Sequence, residues 1–416
     1  MNKLSLSALA AAGLLAGSFA TGANAADLGG NCCADLEERV AELEATTARK
    51  GNRKVSLTVS GWVGQQIMAW DDGFESNQYV GDLGATLGSH VKFTGQATIA
   101  PGWSAGYVLH IEAINNDSLL LNQDYQSGGG WGRFIPLQSY WFIKSDHWGK
   151  IGVGRQSQAS DNTAILVDGS GSLVPANWVA FDVNSFNMRV SGTGANYLRS
   201  WGNVGLCTGG GAWGDCNGLT MNVVRYDTPT FGGFSASASW GEDDMWDVAL
   251  RYAGEFGGFK FAAAAAYNEI TGGGFPNTIA GGFGDPDTQY FQIGAYLQHI
   301  PTGLFVYGAY GNNELDFAGG ASFESDTYYV KAGLRRNLNP LGATVFYGEY
   351  LNVSEDDLLQ GDLDVWGLGI VQEIDAAAMS LWISYRHLSY DDALLSATGN
   401  SVEDFQYVKA GALINF

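Results

Sequence analysis

The amino-acid sequence predicts an all-β fold: a 16-stranded antiparallel transmembrane β-barrel with short turns at one end, long loops at the other and an inward-folded third loop. Three observations predict it: period-two alternation of apolar and polar residues, connections that alternate between tight and long, and a last strand that ends on Phe416. A soluble domain usually lets its terminus fray. A closed barrel needs its last strand to pair with its first, because a lipid-exposed edge leaves backbone groups unpaired in hydrocarbon.

The last strand, residues 405–416, shows the alternation most clearly. One face carries Val408, Ala410, Ala412 and Ile414, and most of the other carries Lys409, Gly411 and Asn415. Only Leu413 breaks the pattern. A period of two indicates a strand with one apolar and one wet face. About ten tilted residues are enough for a strand to cross a bilayer.

Residues 1–25 fit a cleaved secretory signal peptide. Lys3 precedes an apolar run, and Ala23-Asn24-Ala25 supplies the small-residue cleavage pattern. A membrane-spanning helix is the weaker interpretation, because the run is short and rich in alanine and glycine. No later segment approaches about 18 uninterrupted apolar residues, which excludes a helical membrane protein. The chain is therefore predicted to be exported.

Composition supports a large barrel. The 416 residues include 59 glycines and 13 tryptophans but only 8 prolines, which is typical of neither a disordered nor an ordinary helical chain. Single soluble cores stop growing at about 250 to 300 residues, whereas a barrel grows by circumference. The formal net charge of −22 argues against nucleic acid as a partner.

Residues 26–53 are predicted to form a short coiled-coil-like helix and a linker before the barrel domain, 54–416. Heptad a and d positions fall on Cys33, Leu36, Val40, Leu43 and Thr47. Two heptads associate only where other contacts already gather the subunits. A surface helix packed on its own barrel is an equally weighted alternative. The adjacent Cys32 and Cys33 suggest a link between subunits in an oxidising compartment.

Sixteen segments show strand-like alternation. They lie near residues 55–63, 89–100, 103–114, 136–145, 148–156, 219–228, 232–241, 245–256, 258–269, 288–300, 302–313, 326–338, 341–353, 363–374, 377–389 and 405–416. The even number is that expected of a single-chain bacterial barrel. The phase of 219–228 and of 363–374 is ambiguous, so their inward residues are not fixed by the pattern.

The connections between these segments alternate by parity. Tight links fall at 101–102, 146–147, 228–230, 254–257, 301–302, 339–340 and 375–376. Long ones fall at 71–88, 115–135, 157–218, 270–287, 314–325, 354–362 and 390–402, with 242–244 the one short member of this set. Outer-membrane barrels sort their turns and loops in this way, and a soluble sandwich has no reason to. The pattern predicts a multi-pass protein of the bacterial outer membrane.

The connection 157–218 is the candidate constriction. A barrel of sixteen strands leaves a water-filled channel, and this connection is too apolar in part to be a solvated tip. We expect its first half, about 157–182, to fold into the lumen and form the narrowest point. The acids expected to line that point are Asp161, Asp168 and Asp182.

Basic residues with an inward phase are expected to face those acids. They are Lys92, Lys144, Arg155, Arg225, Arg251, Arg335 and Arg386. Opposed charges would give a transverse field and a polar path without a binding site. For any one residue an ordinary solvated charge is the favoured alternative. Since acids exceed bases twofold and crowd the loops, the sequence predicts cation preference if that excess reaches the permeation path.

Cys207 and Cys216 enclose a glycine-rich segment late in the same connection. In an exported protein this spacing favours a disulfide that closes a small loop. A metal site there is less favoured, because the sequence places no histidine nearby. The sequence predicts no metal site and no cofactor.

Enzymatic interpretations have little support. The five histidines are scattered, and no serine motif of the strained-elbow kind accompanies them. His110 and Glu112 share a face and could coordinate an ion, yet alternation alone places two polar residues there. A Ser-His barrel lipase stays open, because its triad would be assembled across strands. We predict a protein that is not an enzyme.

The N-terminal motif resembles a known family. Cys32-Cys33-Ala34-Asp35-Leu36-Glu37-Glu38-Arg39-Val40-Ala41-Glu42-Leu43-Glu44-Ala45-Thr46-Thr47, followed by Lys54-Val55-Ser56-Leu57-Thr58-Val59-Ser60-Gly61-Trp62, is similar to the start of the alphaproteobacterial porins of rhizobia and Brucella-like bacteria. The likeness extends to Phe416.

This resemblance implies a trimeric general porin that passes small hydrophilic solutes and ions by passive diffusion, in contact with outer-membrane lipid and lipopolysaccharide. It also implies that the third loop constricts the pore. The constriction residues of the family are not a fixed motif, so the resemblance assigns none of them. A channel selective for sugars or for one ion is the alternative function.

Overall fold

The computed structural model describes residues 54–126, 132–205, 207, 213–242, 244–271, 286–317, 319–356 and 360–416. The predicted signal peptide and the predicted helix and linker of 26–53, with Cys32 and Cys33, lie outside the described residues.

Strands make up most of the described residues. In chain order these are β1 (Thr58–Asp71), β2 (Ser76–Gly81), β3 (Ser89–Ala100), β4 (Trp103–Ile114), β5 (Arg133–Ser145), β6 (Gly149–Gln156), β7 (Asn187–Arg189), β8 (Asn196–Ser200), β9 (Met221–Asp227), β10 (Phe234–Gly241), β11 (Trp246–Phe256), β12 (Phe259–Ile270), β13 (Asp287–His299), β14 (Leu304–Asp316), β15 (Ser322–Asn339), β16 (Gly342–Asp356), β17 (Asp362–Ile374), β18 (Met379–Asp391) and β19 (Phe405–Asn415). One short α-helix, α1 (Ala393–Thr398), precedes β19. No helix in the described ranges has the length and apolar character needed to cross a bilayer.

Sixteen of these strands, β1, β3–β6 and β9–β19, form a closed antiparallel barrel. The last strand closes it against the first, in a register that runs from Trp62 opposite Asn415 to Asp71 opposite Gln406. Both the predicted strand number and the predicted closure are confirmed. Closure satisfies the backbone groups that an open edge would leave unpaired.

The two faces of the wall differ as the alternation predicts. On β1, Val63 and Ile67 are 55% and 54% exposed on the outer face, while Met68 and Trp70 are 4% and 3% exposed on the inner face. In a transmembrane barrel the exposed apolar side chains face lipid. Turns at one end are tight, and Gly102 adopts a positive φ of 75° in the first of them, a conformation that favours glycine.

Four elements occupy stretches that were predicted as loops. β2 pairs with the outer half of β1, beyond the point where β1 leaves β3. β7 and β8 form a separate two-stranded ribbon within 157–218, and α1 lies in 390–402. Short ribbons and single helical turns fall below the length at which hydrophobic periodicity is readable, so the sequence pattern missed them.

The largest apolar cluster lies inside the barrel. It joins inward-facing wall residues to the 157–218 connection, and its largest members, Trp178, Trp201 and Trp213, are each 1% exposed. Part of the inner face is therefore dry and packed rather than wet. This explains the ambiguous phase of 363–374: Leu363 and Val365 face this cluster, while Trp366 is exposed on the outer face.

Candidate functional site

Residues 157–182, here called the inner segment, lie against the inside of the barrel wall. The Ala159 amide donates to Ser239 Oγ of β10 at 2.8 Å, and the Ala164 amide donates to Gln292 Oε1 of β13 at 2.8 Å. Tyr307 of β14 donates its hydroxyl to the Ala164 carbonyl at 2.8 Å. The segment thus crosses successive wall strands in chain order.

Basic wall residues donate to backbone carbonyls along the inner segment. Arg225 donates to Ser157 O and Gln158 O, Arg251 to Ala159 O, Arg335 to Ser170 O, Lys331 to Ala176 O and Arg386 to Asn177 O. Hydrogen bonds from charged groups contribute about 1.5 to 3 kcal/mol each. Four of the arginines predicted to face inward thus hold the backbone of the segment. They donate to its carbonyl oxygens and not to the predicted acids.

Two of the predicted constriction acids form buried ion pairs with wall lysines. Asp168 Oδ2 lies 2.6 Å from Lys331 Nζ, and both side chains are fully buried. This contact is an ion pair without hydrogen-bond geometry, since Asp168 Oδ2 accepts no hydrogen bond from the described residues. Asp182 accepts from Lys409 Nζ and, at 2.6 Å, from Gln66 Nε2 of β1. These pairs fix the middle and the end of the inner segment.

Burial and the neighbouring cations act on Asp182 in opposite directions. Burial raises the pKa of its carboxyl, but the Lys409 ammonium, helped by Arg386 and Gln66, outweighs burial and holds that pKa below the usual value. Asp182 is therefore ionised in its pair at neutral pH.

Asp161 has the opposite balance. Burial raises the pKa of its carboxyl to about 7, against hydrogen bonds from Ser157 and Asn162 and the charge of Arg225. Asp215 lies close by, and burial together with the Asp161 charge raises the pKa of Asp215 well above its usual value. Two carboxylates in one buried place resist simultaneous ionisation.

The remaining predicted basic residues lie on strands that complete the barrel opposite these contacts. Lys92 of β3 and Lys144 of β5 are half-buried on the inner face. Arg155 of β6 donates its Nε to Thr220 Oγ1 at 3.2 Å. Arg155 pairs with Ser139, which lies on the same face of β5 as the exposed Trp141. Arg155 is therefore on the outer face of the wall and not, as predicted, on the inner face.

The predicted disulfide between Cys207 and Cys216 is confirmed. It lies beside Trp213, whose indole donates to the Trp201 carbonyl at 2.8 Å. The Tyr290 hydroxyl of β13 donates to the carbonyl of Gly214. The disulfide thus lies next to the apolar packing inside the barrel, to which Trp213 belongs.

The candidate residues omit several groups that hold the inner segment. Lys331 and Lys409 show the inward phase in their strands and were identifiable as wet-face residues, but nothing in the sequence pairs them with Asp168 or Asp182. Glu349 was also missed: it receives two hydrogen bonds from Arg386, at 2.7 and 2.9 Å. The pairs of Lys331 with Asp168 and of Lys409 with Asp182 span more than a hundred residues and depend on the path of the segment, which alternation does not encode.

Comparison with known proteins gives one family. A model of the Gram-negative porin family matches residues 7–413. Chitoporin of Vibrio furnissii is 25% identical over 338 residues, which are 71% of this chain and 82% of the chitoporin.

Solved structures share the fold. An anion-selective porin from Comamonas acidovorans matches with a TM-score of 0.58 at 17% identity, covering 87% of this chain and 100% of that one. OmpT of Vibrio cholerae in its trimer form matches with a TM-score of 0.52 at 12% identity, covering 87% and 99%. At these identities the likeness concerns the architecture.

Proposed function

The chain belongs to the Gram-negative porin family, and from that membership we propose that it forms a water-filled channel for passive diffusion of small hydrophilic solutes and ions. The protein is a multi-pass outer-membrane channel whose sixteen strands build the wall. Porins of this fold are typically channels without catalytic activity. Within the family, the motif at residues 32–62 supports assignment to the alphaproteobacterial group.

One observation carries the proposal: the inner segment is bonded in chain order to one arc of the wall. Its partners come from β9–β11, β13–β15, β18, β19 and β1. At its first residue, Gln138 of β5 also donates to Ser157 Oγ at 3.2 Å. The arc β3–β6, which the inner segment meets at Ser157, carries Lys92 and Lys144 on its inner face. Solutes would pass between the inner segment and this arc, which makes Asp161, Asp168 and Asp182 supports of the constriction.

Cysteine accessibility in planar bilayers tests this path. Lys92→Cys and Lys144→Cys, made with Cys32 and Cys33 changed to serine, should react with a charged thiol reagent and lower the single-channel current. Ser384→Cys is the matched control, since Ser384 of β18 is also inward but 3% exposed. The proposal would be contradicted if the protein were impermeable. It would also be contradicted if the reagent modified Ser384→Cys but neither Lys92→Cys nor Lys144→Cys.

We extend the proposal to cation preference, which rests on charge outside the narrow part. The net charge is −22, and Asp244, Asp356 and Asp391 are exposed at the outer ends of strands. Lys92 and Lys144 act against this preference. In a salt gradient we expect a reversal potential of the cation-selective sign, and a larger one for Lys92→Gln. A reversal potential of the anion-selective sign would overturn the proposed cation preference.

A sugar-selective channel is the second candidate, favoured by the similarity to a protein named chitoporin. Sugar channels need aromatic faces accessible in the lumen for stacking. Beside the inner segment the inward aromatics Tyr296, Tyr307, Tyr347 and Trp382 are no more than 5% exposed, covered by the packing inside the barrel. Tyr140 of β5, which lies opposite Val108, is an inward aromatic that is half-buried. General diffusion is therefore the better-supported function. Saturable block of the current by chitin-derived oligosaccharides would favour the second candidate.

We also propose a homotrimer with lipid and lipopolysaccharide around its rim. The trimer form of OmpT supports this by fold, and residues 26–53 would add a short parallel bundle. Sedimentation in detergent should give three chains per particle. Removal of 26–53 should lower the temperature at which the particle dissociates.

A further inference from the structure

Three potential metal ligands meet on the inner wall of β3 and β4, outside the contacts of the inner segment. His90, His110 and Glu112 each offer one donor atom, and these atoms all lie within 4.8 Å of one another. The cross-strand register explains the meeting: His90 lies directly opposite Glu112, and His110 is its diagonal neighbour on the same face.

Two of the three side chains are already oriented by backbone groups. His90 Nδ1 lies 3.2 Å from the Gly88 carbonyl, which can only accept, so Nδ1 carries the proton and Nε2 keeps a free lone pair. The Thr86 amide donates to Glu112 Oε2 at 3.0 Å, which leaves Oε1 for another partner. Such outer contacts fix the orientation of metal ligands in proteins.

The donor atoms that remain are buried without partners. His110 is 4% exposed and neither ring nitrogen has a hydrogen-bond partner among the described residues; the same holds for Oε1 of Glu112, which is 1% exposed. A buried polar atom without a partner costs about 1 to 3 kcal/mol. One ring nitrogen of His110 and Oε1 of Glu112 thus lie without partners near Nε2 of His90, and an ion that accepts lone pairs would satisfy all three side chains.

We propose that His90, His110 and Glu112 bind a divalent transition-metal ion of the Zn²⁺ class. Two imidazole nitrogens and one carboxylate oxygen are the donors such ions prefer, and three protein ligands leave a fourth position for water. Tetrahedral bonds of about 2.0 to 2.1 Å place neighbouring donors about 3.4 Å apart. In the structure the donor atoms lie within 4.8 Å of one another, so binding requires them to approach each other more closely. This site revises the expectation that the chain binds no metal.

The surroundings carry both signs of charge. Lys92 lies opposite His110 and opposes a cation. The carboxylates of Asp82 and Asp117 lie close enough to act on Glu112, and they offset that lysine. Trp62 packs edge-on against the His90 ring at 4.0 Å between centroids and fixes it from the other side.

Zinc titration of the folded full chain tests the site. The protein is purified in detergent without a polyhistidine tag, with Cys32 and Cys33 changed to serine, and stripped with chelator. Calorimetry with Zn²⁺ alone should give one ion per chain. His110→Gln and Glu112→Gln should each weaken binding at least tenfold. His299→Gln, at a turn where His299 contacts Thr302, should leave it unchanged.

Co²⁺ supplies a second readout, since its visible absorption reports the ligands. Bands typical of a four-coordinate nitrogen and oxygen site should appear in the parent protein and vanish in both variants. Circular dichroism and channel current confirm that each variant is folded. Absence of saturable Zn²⁺ binding, or equal binding in the parent and in Glu112→Gln, would overturn the proposal. Neither measurement depends on the chain's solute selectivity.

Discussion

Replacing Asp168 with asparagine should loosen the inner segment without unfolding the barrel. The change leaves Lys331, which is fully buried, without its countercharge. Removing one partner of a buried pair costs about 3 to 5 kcal/mol. The lower end applies here, because Lys331 keeps the Ala176 carbonyl at 2.8 Å and lies 5.7 Å from the centre of the Tyr347 ring. About 3 kcal/mol corresponds to an increase of about a hundredfold in the detached population of the segment.

Hydrogen exchange of the amides in 164–176 measures this population directly. We expect exchange about a hundredfold faster in Asp168→Asn, together with larger and noisier single-channel currents. Asp168→Asn combined with Lys331→Met removes both charges and should recover most of the protection. Asp146→Asn, an exposed carboxylate at a tight turn, is the control. If Asp168→Asn exchanges at the parent rate, the ion pair does not hold the segment.

Three further predictions concern neighbouring contacts. Because burial raises the pKa of Asp161 to about 7, its contribution to stability is complete below the unfolded value of 3.8 and is lost as pH rises through about 7; hydrogen exchange of the segment should quicken over that range, and Asp161→Asn should weaken the dependence to the part that comes from the buried Asp215. Changing both Cys207 and Cys216 to serine removes a cross-link over 9 residues. Local unfolding near Trp213 should become easier by about 2.5 kcal/mol in hydrogen exchange, with the barrel's melting temperature unchanged. Gly294→Val would bring Cβ within 3.0 Å of the Ala164 backbone, so the segment should shift and the current rise.

Alternation along the chain is sufficient to predict the wall. β3 and β4 begin and end at the predicted residues, 89–100 and 103–114, because a strand in a barrel meets lipid on one side along its whole membrane-spanning length. The outer ends were predicted less well. β14 extends to Asp316, beyond the predicted end at residue 313, and β15 begins at Ser322, before the predicted start at residue 326. Polar cross-strand contacts such as that of Asn312 with Glu324 extend the ladder there. Polar residues there resemble a loop in composition, although the backbone pairing continues.

The site required information that strand phase does not contain. Phase assigns Lys331 and Arg386 to the inner face, but the inner face consists of a covered arc and an uncovered arc. The path of the inner segment decides between them. Asp168 and Asp182 looked like lumen acids because their residue type suits water, whereas burial beside lysines makes them ionic supports. His90 and Glu112 are 22 residues apart, and only the β3–β4 register brings them together.

The contacts of the inner segment bear directly on ion selectivity. Arg225, Arg251, Arg335 and Arg386 direct their donors at carbonyls and at Asp227, Glu373 and Glu349, so their charge is largely compensated within the wall. Burial beneath the segment removes both signs of charge from the solute path in nearly equal measure. What remains to act on ions is the charge at the outer mouth and on β3–β6, over distances comparable with a Debye length of about 8 Å at physiological salt. Selectivity should therefore fall steeply as ionic strength rises, whereas a field set by opposed charges at the narrowest point would persist.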